Sequence, residues 1–168
     1  MSPAPLLAVL DTLAAQIKAL AAQITEQPGL HADAQVFTSL PRSGTVRAAR
    51  LLAETGDCRA RFPDPQSLMC LAGVAPSTRQ SGKVKAVSFR WAAGKQPRDA
   101  VCDFAAGSRH ASLWAAQLYQ RRHRSWQRSS PRHPFVARAW LYVIWHCRQD
   151  RTAYDPALRK ALQRLLRG

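Results

Sequence analysis

Leucine and isoleucine recur at alternating steps of four and three along the first quarter of the chain: Leu6, Leu10, Leu13, Ile17, Leu20 and Ile24. That is an a/d seam sustained over almost three heptads, set among alanines of high helix propensity. Pro28 and Gly29 stop it. The pattern predicts a helical arm over 1–28 and a linker over 29–37. A narrow seam on a lone helix of this length is marginal in water, so the arm is expected to pair as a coiled coil with another helix, in the same or another chain. The plainer alternative is an amphipathic helix packed on its own domain.

From Ser39 the punctuation is denser. SLPRSGTVRAARLLAETG, Ser39 to Gly56, reads as a Leu-Pro turn containing Gly44, then a helix with Val46, Ala49 and Leu52 inward and Gly56 as C-cap. The turn resembles the hairpin of a helix-hairpin-helix element, whose backbone amides meet a DNA phosphate. It departs from that pattern at Arg42, where the first glycine usually stands. Asp64-Pro65 predicts an N-cap and first helical position, with Leu68, Met69 and Leu71 inside and a stop at Gly73. A loop and a short strand around Lys85 to Trp91 follow, with Val87, Phe89 and Trp91 on one side. Pro97 opens a helix that buries Val101, Cys102 and Phe104, and residues 111–126 form another with Leu113, Trp114 and Leu118 inside. After a linker at Ser129–Pro134, a buried helix runs from Phe135 to Arg148 with Trp140, Leu141, Ile144 and Trp145. A last basic helix occupies 157–168. The class is mainly α, with one short strand or hairpin.

Charge narrows the partners. The chain of 168 residues carries a formal net charge of +15. Residues 1–40 hold Lys18 against Asp11, Glu26 and Asp33, so all of the positive excess belongs to the body and not to the arm. Such an excess favours polyanions through counterion release, nucleic acid ahead of membrane. The four cysteines, Cys58, Cys70, Cys102 and Cys147, form no CxxC pair and show no metal-ligand spacing. No signal peptide and no apolar run long enough to cross a bilayer is expected, so the reading is a reduced, cytoplasmic protein with mostly buried cysteines, no metal site of its own and no membrane partner.

The stretch with the most chemistry is GVAPSTRQSGKVKAVSFRW, Gly73 to Trp91. It sets Ser81 beside Gly82 in a loop with cations at Arg79, Lys83 and Lys85. A small, flexible Ser-Gly pair among cations suits a phosphate. A serine hydroxyl is a poor nucleophile without a base or metal, and the loop holds neither histidine nor carboxylate. Its residue chemistry therefore leaves phosphate binding and catalysis both open.

The order of SLPRSGTVRAARLLAETGD, RFPD, LAGVAPSTRQSGK, FRWAAGKQPRDAVCDFAAGS and DRTAYDP closely resembles the C-terminal domain of the DEDD insertion-sequence transposases, the recombinases guided by a bridge RNA. The resemblance covers roughly 38–156, taken here as a serine transposase domain. It implies that Ser81 attacks a DNA phosphodiester to give a phosphoserine link, that Gly82 allows close backbone approach, and that Arg79, Lys83 and Lys85 offset phosphoryl charge. It also implies magnesium, held by four acidic residues of an N-terminal ribonuclease-H-like (RuvC-type) domain that this sequence lacks. On that reading the chain alone does not complete strand exchange, and its expected partners are DNA, a guide RNA and a second copy through the arm.

Further DNA or RNA contacts are expected at Arg42 and Gly44 in the hairpin, at Arg90, Lys95 and Arg98 around the Pro97 helix start, and at Arg121, Arg122 and Arg124 in a basic stripe. Guanidinium groups suit phosphates. Trp114, Trp140 and Trp145 fit a core better than a base stack, and His110 and His146 read as structural. Two other classes compete with the transposase: a non-catalytic nucleic-acid-binding and oligomerisation module, and a degenerate transposase remnant.

Overall fold

The computed structural model describes residues 4–26, 31–81, 84–89, 94–125 and 134–157, with backbone alone for 4, 77–81, 84–89 and 122–125. In chain order these form α1 (Ala4–Glu26), α2 (Ala34–Thr38), α3 (Gly44–Thr55), a 3-10 turn (Arg59–Arg61), α4 (Pro65–Leu71), β1 (Pro76–Ser81), β2 (Val84–Phe89), α5 (Lys95–Ser108), α6 (Leu113–Ser125) and α7 (Pro134–Asp150). The mainly helical class with one hairpin is therefore what the chain adopts. The basic helix expected at 157–168 lies almost wholly outside the described residues.

α7 is the central element and packs against α2, α4, α5 and α6. Its inner positions Val136, Ala137, Trp140, Leu141 and Ile144 repeat at helical spacing and are buried. Trp140 meets Phe104 edge-on, with ring centroids 5.1 Å apart, and also contacts the rings of Trp114 and Tyr154. Its indole N–H donates to Ser108 Oγ at 2.7 Å, so a large apolar surface is buried without orphaning its one donor. Tyr154, from the DRTAYDP tail, accepts from Trp114 Nε1 at 3.2 Å and donates its backbone N–H to Ser39 Oγ at 2.8 Å. The tail thus closes the core against the turn ahead of α3.

Several expectations shift. Residues 34–38, placed in the linker, form α2, which buries Val36 and Phe37, so the body begins before residue 38. In α3 the buried face is Ala48 and the residues three, four and seven positions after it, Leu51, Leu52 and Thr55, while Val46 is 48% exposed. Val46 lies two residues from Ala48, roughly 200° around the helix, and cannot share its face. Leu113 begins α6 and is 85% exposed; Ala115 is buried, with Trp114 and Leu118 packed beside the core. Cys58 is exposed, whereas Cys102 is buried and Cys70 and Cys147 are intermediate.

α1 is the helix its seam predicts, but the seam is bare. Exposure runs from 67% at Leu6 to 37% at Ile24. Among the described residues its main contact with the body is with α3, where Gln23, Ile24 and Glu26 border a cleft with Ala49, Leu52 and Ala53. The expectation of no such apolar run is corrected: within Pro5–Glu26 an 18-residue stretch has a mean hydropathy of 1.4, so by length and composition the helix could cross a bilayer. Leu7, Val9 and a run of alanines supply that hydropathy between the seam residues. Asp11 and Lys18 lie within the stretch, and such residues each cost about 2.5–3.5 kcal/mol at a bilayer centre.

Candidate nucleic-acid interface

The approach to Ser81 is built by the end of α4. Asp64 caps this helix, its side chain accepting from Ser67 N at 2.7 Å, and that hydrogen bond lowers the Asp64 carboxyl below its usual range. At the other end Gly73 has φ +61°, a left-handed conformation that glycine adopts without steric cost. Gly73 N donates to Cys70 O at 3.1 Å and Val74 N to Met69 O at 3.0 Å, the paired bonds of a Schellman motif. Met69 and Val74 are both buried across it, as that motif favours. The chain then enters β1 from a fixed point in the core.

β1 and β2 form a two-stranded antiparallel ribbon in which Pro76 pairs with Phe89, Arg79 with Ala86, Gln80 with Lys85 and Ser81 with Val84. Ser81 is therefore not in a loop ahead of a strand, as expected, but is the last residue of β1. Strand period places Ser77, Arg79, Ser81, Val84, Ala86 and Ser88 on one face and Pro76, Thr78, Gln80, Lys85, Val87 and Phe89 on the other. Of the cations grouped around Ser81 by sequence, Arg79 shares its face and Lys85 does not. The expectations for Gly82, Lys83 and Arg90 lie outside the described residues.

The second candidate contact is the turn between α2 and α3. Arg42 has φ +56° and Gly44 φ +58°, so arginine takes a left-handed position where the hairpin motif usually carries glycine. Ser43, between them, is buried; it makes no side-chain cap, and its hydroxyl has no hydrogen-bond partner. The first N–H groups of α3 are thus uncapped by Ser43, and Arg42, Gly44, Thr45 and Val46 are all exposed around them. Unpaired amides, the positive end of the helix dipole and an exposed guanidinium residue make this turn suitable for an anion.

Arg47 braces the turn and was not singled out by the sequence. Its Nε donates to Asp103 Oδ2 at 2.9 Å and its Nη1 to Arg42 O at 3.4 Å, linking the turn to α5. A Cβ at Gly107 would stand 3.1 Å from Nη1, so the bare glycine gives the guanidinium its berth. The one sequence signal is that Arg47 and Gly107 belong to two of the family-like words.

A second brace is centred on two buried residues, Asp33 and Arg148, with Arg59 partly exposed beside them. Asp33, 1% exposed at the start of α2, is paired with both Arg59 and Arg148. Arg148 Nε donates to Asp33 Oδ2 at 3.1 Å, and its Nη2 donates to Gly56 O at 2.6 Å. Burial acts to raise the Asp33 pKa, but hydrogen bonds from Arg59 and Arg148 outweigh it and hold the carboxyl below its ordinary value. The same bond with Asp33 raises the pKa of Arg59. In the sequence Asp33 is only one more acidic residue ahead of the body; in the fold it ties α2 and the cap of α3 to α7.

The remaining basic candidates are dispersed over the helices. Lys95 is exposed and Arg98 partly buried in the first turn of α5, and Arg121 is exposed on α6. Arg122 and Arg124 continue the α6 backbone. Among the described residues no group of three or more histidine, cysteine, aspartate or glutamate side chains is arranged to hold a metal ion.

Comparison with known proteins covers both candidate contacts. The model of the family described as "Transposase IS116/IS110/IS902 family" matches residues 34–120, just over half of the chain, from α2 through the ribbon into α6. The protein named "Mini-circle putative transposase for IS117" from Streptomyces coelicolor is 36% identical over 127 residues, which span 74% of this chain and 30% of that protein. The "Insertion element IS900 uncharacterized 42 kDa protein" of Mycobacterium paratuberculosis is 28% identical over 141 residues, 83% of this chain and 35% of its own length. The chain therefore spans about a third of the length of these curated relatives. With its helical body matched from α2 to α6, the chain belongs to the IS116/IS110/IS902 transposase family.

Proposed function

We propose that this chain is the C-terminal, DNA-handling portion of an insertion-sequence transposase and supplies a serine nucleophile for DNA cleavage and rejoining. The observation that carries the reading is the position of Ser81 at the end of β1, inside the family-matched stretch and on a ribbon anchored in the core by the Gly73 turn. In the step itself, Ser81 Oγ forms a bond to phosphorus, the bond from phosphorus to one deoxyribose oxygen breaks, and the hydroxyl proton ends on that oxygen. The phosphodiester is conserved as a phosphoserine ester, so rejoining is the same exchange run toward a new strand end. The Arg42–Gly44 turn holds a second DNA phosphate in the manner of a helix-hairpin-helix element. Magnesium, held by an acidic domain outside this chain, and a guide RNA complete the system on this reading. α1 joins two copies through its seam.

The test is DNA capture with a ribonuclease-H-like half supplied, using the junction DNA of the mobile element that encodes the chain. A covalent adduct that withstands detergent supports the transposase; salt-sensitive binding with no adduct supports the competing class, a binding and oligomerisation module. That second reading draws on two observations: the bare seam of α1 and the strongly basic body.

A further inference from the structure

The ribbon register separates two cations that lie six residues apart in the sequence. Ser81 follows Arg79 by two residues on the same strand, which sets their Cα atoms roughly 7 Å apart along one face. Across the ribbon, the positions opposite them are Val84 and Ala86, one apolar and one small. Arg79 is the only basic residue on the Ser81 face among the described ribbon positions, and Lys85 is the only one on the other. A phosphate attacked from the Ser81 position meets the face that carries Arg79.

We propose that Arg79 is the residue of this ribbon that engages the phosphoryl group attacked by Ser81, and that Lys85 instead binds DNA backbone on the opposite face. The proposal rests on the nucleophile reading of Ser81. Its chemistry is electrostatic: attack puts added negative charge on the non-bridging oxygens, and a guanidinium can donate two parallel N–H bonds to two such oxygens. A donor that meets charge developing in the transition state affects rate far more than ground-state binding. A backbone cation on the other face has the reverse effect, changing affinity and its salt dependence.

The experiment compares unsubstituted protein with Ser81→Ala, Arg79→Ala, Arg79→Lys and Lys85→Ala, in the presence of the ribonuclease-H-like half, on the same junction DNA. Rates of covalent adduct formation are measured beside equilibrium affinity at two or more salt concentrations. The same rates are then measured on DNA carrying a neutral methylphosphonate at the attacked position. Arg79→Ala is expected to slow adduct formation on the order of 100-fold or more with affinity nearly unchanged. Arg79→Lys should recover part of the rate, and the neutral linkage should narrow the gap between Arg79→Ala and unsubstituted protein. Lys85→Ala should weaken binding and lower the salt slope by about one, at little cost to the saturated rate.

If the adduct forms and depends on Ser81, but Lys85→Ala slows it as much as Arg79→Ala or the neutral linkage rescues neither, the assignment of Arg79 is overturned while that of Ser81 stands. If unsubstituted protein forms no adduct, or Ser81→Ala forms it normally, the nucleophile reading fails and this proposal falls with it.

Discussion

The Asp33 carboxylate lies 3.1 Å from Nε of Arg148, and both residues are buried although 115 positions separate them in the chain. Arg148 also donates to Gly56 O and its guanidinium lies over the Phe37 ring, 5.9 Å from the centroid. One side chain of α7 therefore fixes the start of α2, a core aromatic and the end of α3, the two helices that flank the Arg42–Gly44 turn.

Asp33→Asn leaves Arg148 buried beside a neutral group. It is expected to lower stability at neutral pH by about 3–5 kcal/mol, the usual cost of breaking a buried pair by removing one partner. The pH dependence follows from the depressed pKa of Asp33. Its contribution is complete above the ordinary carboxylate value, about 3.9, and is lost as pH falls through the lower folded value. Urea denaturation between neutral pH and pH 2 should show the difference between Asp33 and Asn shrinking at the acid end. A gap independent of pH would show that the charge of Asp33 does not stabilise the fold.

Arg42 occupies a left-handed backbone position that costs a non-glycine residue about 1–2 kcal/mol. Arg42→Gly relieves that strain but gives freedom to the unfolded chain, worth about 0.4–1 kcal/mol in the opposite direction. Stability is expected to rise by no more than about 1.6 kcal/mol, while affinity for duplex DNA falls and its salt slope drops by about one. An unchanged salt slope in filter binding or fluorescence titration removes Arg42 from the interface.

Among the described residues the seam of α1 is an apolar row left largely exposed from Leu6 to Leu20. Sedimentation should find unsubstituted protein as a dimer or larger, and Leu13→Asp with Ile17→Asp as monomer with the helical body intact by circular dichroism. A strictly monomeric unsubstituted protein at high concentration removes pairing of this arm with itself.

Local signals were legible where neighbours in sequence are also partners in space. Asp64-Pro65 starts α4 and Gly73 ends it, each through bonds spanning five residues or fewer. The inward set Trp140, Leu141 and Ile144 follows from helical period alone. What was not legible depends on distant partners. Asp33 looks like a turn residue until Arg59 and Arg148 are brought to it, and Arg47 looks like one more surface cation until α5 supplies Asp103 and Gly107. The rotation of α3 that exposes Val46 is likewise set by its neighbours α2 and α5. For the ribbon, the sequence placed Arg79, Ser81 and Lys85 together, yet strand pairing decides which of the two cations shares the serine's face.

The central claim is that Ser81 becomes covalently bound to DNA, and the sequence makes a direct measurement possible. Trypsin cleaves after Arg79 and after Lys83, releasing Gln80-Ser81-Gly82-Lys83, in which Ser81 is the only hydroxyl residue. The covalent complex is trapped with the ribonuclease-H-like half present, digested with nuclease and then trypsin, and its peptides are read by mass spectrometry. The account predicts a nucleotide phosphate on this four-residue peptide, absent from Ser81→Ala. A nucleotide found on any other peptide, or DNA cleaved and rejoined with this peptide unmodified throughout, contradicts it.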